Sequence, residues 1–73
     1  MNHYFKESSN LLFADYNSDN KELRLMFKNK LDTIYTYQNV PLNIYEGLIS
    51  SESSGKYFYS NINKKYQFIT TSL

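Results

Sequence analysis

Apolar positions along the chain fall into short runs separated by turn formers, and their period changes once. Leu11-Leu12-Phe13-Ala14-Asp15-Tyr16 reads as a first strand. Asn17-Ser18-Asp19-Asn20 holds only turn formers, so the chain reverses there. Leu23, Leu25 and Phe27 alternate with Arg24, Met26 and Lys28, the period-two pattern of a strand with one buried face. These two segments predict a hairpin. Lys28 to Asp32 reads as the next turn. Thr33-Ile34-Tyr35-Thr36-Tyr37, β-branched or aromatic throughout, reads as a third strand.

At Pro41 the period shifts. Proline suits the start of a helix and holds Val40 before it extended. Ile44 with Leu48, and Tyr45 with Ile49, are spaced by four and share one helical face, which predicts a helix over about 41–50. The polar stretch Ser50-Ser51-Glu52-Ser53-Ser54-Gly55 breaks it. A second short helix over about 55–62 follows from a serine cap and pairs Phe58 with Ile62. Tyr66, Phe68 and Thr70-Thr71 read as a last extended segment, either a fourth strand or a docked tail. Residues 1–9 read as a loosely attached arm, and 10–73 as one domain. The fold class is α+β: three antiparallel strands, then two short helices.

Length adds a constraint. A chain of 73 residues buries only about 60–65% of the surface that its unfolded form exposes. It contains no Cys, which removes disulfides, thiol chemistry and cysteine zinc sites. The core therefore depends on apolar and aromatic side chains, among them 8 Tyr and 5 Phe. Tyrosine hydroxyls need partners when buried. A shallow core with hydroxyls at its rim is one solution and a homodimer is another. No apolar run matches a signal peptide or a membrane span, so a cytoplasmic protein without membrane contact is expected.

Net charge is only +1, but its distribution is uneven. Residues 1–52 hold 5 basic and 7 acidic side chains, net −2, whereas 53–73 hold Lys56, Lys64 and Lys65 and no acid, net +3. Ser53, Ser54, Gly55 and Lys56 open the second helix. A helix start offers free N–H groups and partial positive charge, and glycine lets an anion approach, so a phosphate could sit there. The plainer reading, a serine N-cap beside a solvated lysine, is favoured because caps are common. Tyr35 and Tyr37 share a strand face. Exposed, they would stack on unpaired bases; buried, they would pack beneath the helices, and burial is favoured because the sheet needs one apolar face. Tyr57 and Tyr59 lie on different faces of the second helix, so one of them is expected at the surface near Lys56 and Lys64.

Catalysis is hard to build here. His3 is the only histidine and lies near the N-terminus. The serines lack a neighbouring base, and there is no phosphate-binding loop or metal cluster pattern. No enzyme activity and no cofactor are expected.

Tyr35-Thr36-Tyr37, Asn39-Val40-Pro41, Tyr45-Glu46-Gly47-Leu48 and Ser54-Gly55-Lys56-Tyr57-Phe58 with Ile62 and Tyr66 form an ordered series that resembles the KTSC domain. Ser8-Ser9-Asn10-Leu11 resembles that family's opening signature, and Tyr16 its strand-one tyrosine. The family is named for lysyl-tRNA synthetase C-termini and also occurs as small free-standing bacterial and phage proteins. Asp15 replaces a common glycine, and the turn at Lys28–Asp32 carries none. The resemblance implies a small binding module, with RNA as the ligand class by association with the synthetase. The alternative is a protein-interaction accessory protein of phage or prophage type that acts on a host factor. For the RNA reading the candidate ligand-binding residues are Ser53, Ser54, Gly55, Lys56, Tyr57, Lys64, Lys65, Tyr35 and Tyr37.

Overall fold

The computed structural model describes residues 1–73. Strands β1 (Asn2–Tyr4), β2 (Leu11–Asn17), β3 (Glu22–Phe27) and β4 (Lys30–Tyr37) precede helices α1 (Leu42–Ser50) and α2 (Ser54–Asn61), and β5 (Phe68–Ser72) ends the chain. All pairings are antiparallel, and the sheet order β1-β2-β3-β4-β5 follows the sequence. The α+β class with two helices holds, but the sheet has five strands instead of three.

The extra strands come from both ends of the chain. β5 is the C-terminal segment expected as a candidate strand. β1 lies within the expected arm: Asn2, His3 and Tyr4 pair with Asp15, Ala14 and Phe13, and Phe5 enters the core. Three residues are too few for an alternating pattern to register, which is why this strand reads as irregular sequence. The turn expected at Lys28–Asp32 also contracts. Phe27 pairs with Lys30, so only Lys28 and Asn29 form the loop. Lys30, Leu31 and Asp32 are exposed, and a single leucine between two charged residues gives this end of β4 no alternating buried pattern.

Both helices cover the sheet face bearing Ala14, Tyr16, Leu23, Leu25 and Tyr37. The Tyr16 ring stacks on Tyr45 of α1, with centroids 5.1 Å apart and planes 11° from parallel. Its hydroxyl donates to the Val40 carbonyl at 2.6 Å, inside the core. The Val40 N–H donates to the Lys21 carbonyl at 2.9 Å, and Asn39 before it takes a left-handed φ of 58°. Val40 is thus held on both sides, and Pro41 turns the chain into α1. Phe58 of α2 packs edge-on against Phe27 and Tyr37, at 5.3 and 5.9 Å.

The helices meet at Gly47. A Cβ there would lie 2.1 Å from the Tyr57 hydroxyl oxygen and 2.5 Å from Cζ. Glycine at this position is a requirement of close approach. Elsewhere in a helix, Gly→Ala gains up to about 1 kcal/mol. Gly47→Ala should instead lower stability by about 1–3 kcal/mol, as overpacking does. Chemical denaturation of the variant checks the sign.

Burial raises the Tyr16 phenol above its ordinary range, and it raises Tyr45 too, with the Asp15 carboxylate adding to the effect there. Tyr37 is pushed up to about 12, by burial first and by the neighbouring Tyr35 second. An unfolded tyrosine titrates near pH 10. The fold therefore holds these protons more tightly, and their contribution is complete below pH 10. For Tyr37 it is lost as pH rises from about 10 towards 12. Thermal melts should fall across that window, and Tyr37→Phe should flatten the fall. Phenolate absorbance should show one fewer late-titrating tyrosine in the variant.

Candidate nucleic-acid interface

The serine cluster builds the start of α2. Ser53 is the N-cap, and its Oγ accepts the Lys56 N–H at 3.4 Å. Ser51 braces the cap: its Oγ accepts from the Ser53 N–H at 3.1 Å and donates to the Ser53 carbonyl at 3.0 Å. Ser54 is buried. Gly55 lies against the loop before β2, where a Cβ would come within 2.8 Å of the Asn10 Oδ1. That loop is tied by Ser8, whose Oγ accepts the Leu11 N–H at 2.9 Å and donates to Asn10 Oδ1 at 3.0 Å. Here glycine serves the packing of Asn10.

A groove of about 590 Å³ runs between this cluster and the chain after β1. His3, Lys6, Ser54 and Gly55 line it, together with Glu7 and Glu52. The two carboxylates offset the positive helix start, and Lys56 does not line the groove. No group of three or more His, Cys, Asp or Glu residues comes together to hold a metal.

The lysines do not share one helical face. Extending α2 to Lys64 would place it near Lys56, but the helix ends at Asn61. The Ile62 and Asn63 N–H groups both donate to the Phe58 carbonyl, at 2.9 and 2.8 Å, and Lys64 takes a left-handed φ of 63°. Lys64 and Lys65 therefore sit exposed beyond the C-terminus of α2, and Lys56 sits exposed in its first turn, at the other end of the helix.

The tyrosines divide by burial. Tyr37 is 3% exposed and belongs to the core, and Tyr35 is half-buried between Phe27 and Phe68. They form no open stacking platform. Tyr57 is half-buried at the Gly47 contact, and its phenol is raised by burial and then by neighbouring Tyr66. Tyr59 is 64% exposed.

Near the C-terminal lysines another exposed aromatic is Phe68 of β5, at 49% exposure; neither it nor Tyr59 is among the candidate ligand-binding residues of the sequence. Ring contacts run from Tyr59 to Phe58 at 5.5 Å, from Phe58 to Tyr37 at 5.9 Å and from Tyr37 to Phe68 at 5.0 Å. Two exposed rings thus stand at the ends of a series anchored in the core. Lys64 and Lys65 lie on the connection between α2 and β5. Sequence alone offers no signal for Phe68 as a surface group, because its exposure depends on β5 being the sheet edge.

Residues carrying the KTSC resemblance contact one another. Tyr16 meets Val40 and Tyr45, Tyr37 meets Phe58, Gly47 receives Tyr57, and Asn10 rests on Gly55. These contacts hold the fold together. The model of the KTSC domain matches residues 7–66. No curated protein gives a significant match. Among solved structures, a KTSC domain protein from Yersinia pestis superposes with a TM-score of 0.83 at 25% identity, covering 100% of this chain and 96% of that one. With the family pattern spanning most of the sequence and its residues in mutual contact, this chain belongs to the KTSC domain family.

Proposed function

We propose that this protein is a non-catalytic module that binds single-stranded RNA through its C-terminal third. One observation carries the reading: after Glu52 every ionised side chain is a lysine, and the exposed rings of Tyr59 and Phe68 accompany them. Bases stack on exposed rings and lysines neutralise phosphates, a combination that suits unpaired strands. Tyr59 and Phe68 take the stacking role in place of Tyr35 and Tyr37, whose rings pack against Phe68. Ser53, Ser54 and Gly55 are positioning residues that set the direction of α2 and so the place of Lys56. No helix is long and apolar enough to cross a membrane.

Three lysine contacts give a modest, salt-sensitive ligand. The logarithm of affinity for an unstructured oligonucleotide should fall against log salt with a slope of about −2. The combined variant Lys56→Glu, Lys64→Glu, Lys65→Glu should keep its melting temperature and lose binding. Tyr59→Ala should weaken binding by about 1–3 kcal/mol. Fluorescence anisotropy across a salt series measures the binding changes, and a thermal melt checks the fold of the triple variant. No binding by the wild type at low salt, or equal binding by the triple variant with the same slope, would overturn the reading. The first result would favour a protein partner.

A further inference from the structure

β5 is an edge strand without the usual protections. Such edges are normally shortened, bulged, charged, covered or interrupted by proline, because their free N–H and C=O groups recruit other strands. The opposite edge, β1, is only 3 residues long. β5 has five residues, all exposed, and Phe68-Ile69-Thr70-Thr71-Ser72 contains no charge, glycine or proline. Its register with β4 runs unbroken from Thr33↔Ser72 to Tyr37↔Phe68.

Hydrogen-bond parity shows which groups are free. The Gln38 N–H donates to the Gln67 carbonyl at 2.9 Å, and the Leu73 N–H donates to the Asp32 carbonyl at 2.8 Å. Antiparallel ladders alternate, so Gln67, Ile69, Thr71 and Leu73 turn their backbone groups towards β4. Phe68, Thr70 and Ser72 turn theirs outward.

This outward set is self-complementary. A two-fold axis through Thr70 makes Thr70 face Thr70 of a second copy, and Phe68 face Ser72. All three outward N–H groups on each strand then find an outward carbonyl, and none is left over. Registers displaced along the strand leave some of these groups unpaired. The side chains agree with this register. Phe68 is set beside Ser72 and Ile69 beside Thr71, so each large residue meets a small one, and Thr70 meets Thr70, a favourable cross-strand pair. No charge lies in the seam, and antiparallel geometry sends the two Lys64-Lys65 pairs to opposite ends. We infer that β5 is a homodimer seam, in which antiparallel β5 strands from two copies join two five-stranded sheets into one continuous sheet with all four helices on the same face.

Five residues a side is well below the roughly 20–30 of a standard interface, so the association is weak and rises with concentration. Sedimentation equilibrium from micromolar to millimolar protein should show the mass moving from one chain towards two. Amide exchange carries the residue-level signature. The N–H groups of Phe68, Thr70 and Ser72 should become protected as concentration rises, whereas those of Ile69 and Thr71 stay protected throughout. Thr70→Pro removes an outward N–H that β4 does not use, and Ile69→Lys places a charge beside the seam; both should remain monomeric. Circular dichroism reports whether each variant is folded, and Ile69→Lys decides the matter should the proline variant unfold. A wild type that is monomeric at millimolar concentration overturns the inference. So does association that leaves the Phe68, Thr70 and Ser72 amides unprotected, or that survives in folded Ile69→Lys.

Discussion

The phenol of Tyr16 lies beneath α1 with its ring against Tyr45 and its hydroxyl on the Val40 carbonyl at 2.6 Å. Three parts of the chain meet in that contact: β2, the corner after β4, and the first helix. The Val40 amide is held from the other side by the carbonyl of Lys21, at the β2–β3 turn. Both polar groups of a fully buried residue are therefore satisfied, as a buried backbone requires. The direction of α1 follows from that corner. The Gly47–Tyr57 contact then sets α2 against α1, and Phe58 of α2 closes over Tyr37. A domain this small has few layers to share the load, so a local bond between sheet and corner has consequences across the molecule.

Much of this was readable from the sequence because periodicity and turn chemistry act locally. The alternation of Leu23, Leu25 and Phe27, the i,i+4 pairs of α1, Pro41 at the corner and the Ser53 cap each mark an element without help from the rest of the chain. What escaped depends on distant partners. β1 is held by pairing to β2 and by Phe5 in the core, not by any pattern in its three residues. The polar start of β4 looks like a turn because its strand character comes from the neighbouring strand. Burial of Tyr37 and exposure of Phe68 are opposite outcomes for two aromatic strand residues that pair directly. Only the order of strands in the sheet separates them.

The candidate site shows the same limit. Ser53, Ser54, Gly55 and Lys56 are adjacent in sequence and do form a helix start, yet Gly55 packs on Asn10 and Lys56 is not among the residues lining the groove beside the serines. Lys64 and Lys65 lie beyond the other end of α2, where a left-handed turn ends the helix. Tyr59 and Phe68 touch the core rings Phe58 and Tyr37 and keep their outer faces open.

Since the account rests on the Tyr16–Val40 bond, Tyr16→Phe tests it most directly. Phenylalanine preserves the ring, its stacking on Tyr45 and nearly all of the volume, and removes only the donor to a buried carbonyl. Urea unfolding of the two proteins should give an unchanged m-value and a loss of about 1–3 kcal/mol, the cost of leaving that carbonyl unpaired. A variant that unfolds at the wild-type midpoint would show that the corner is held by packing alone, which contradicts the account.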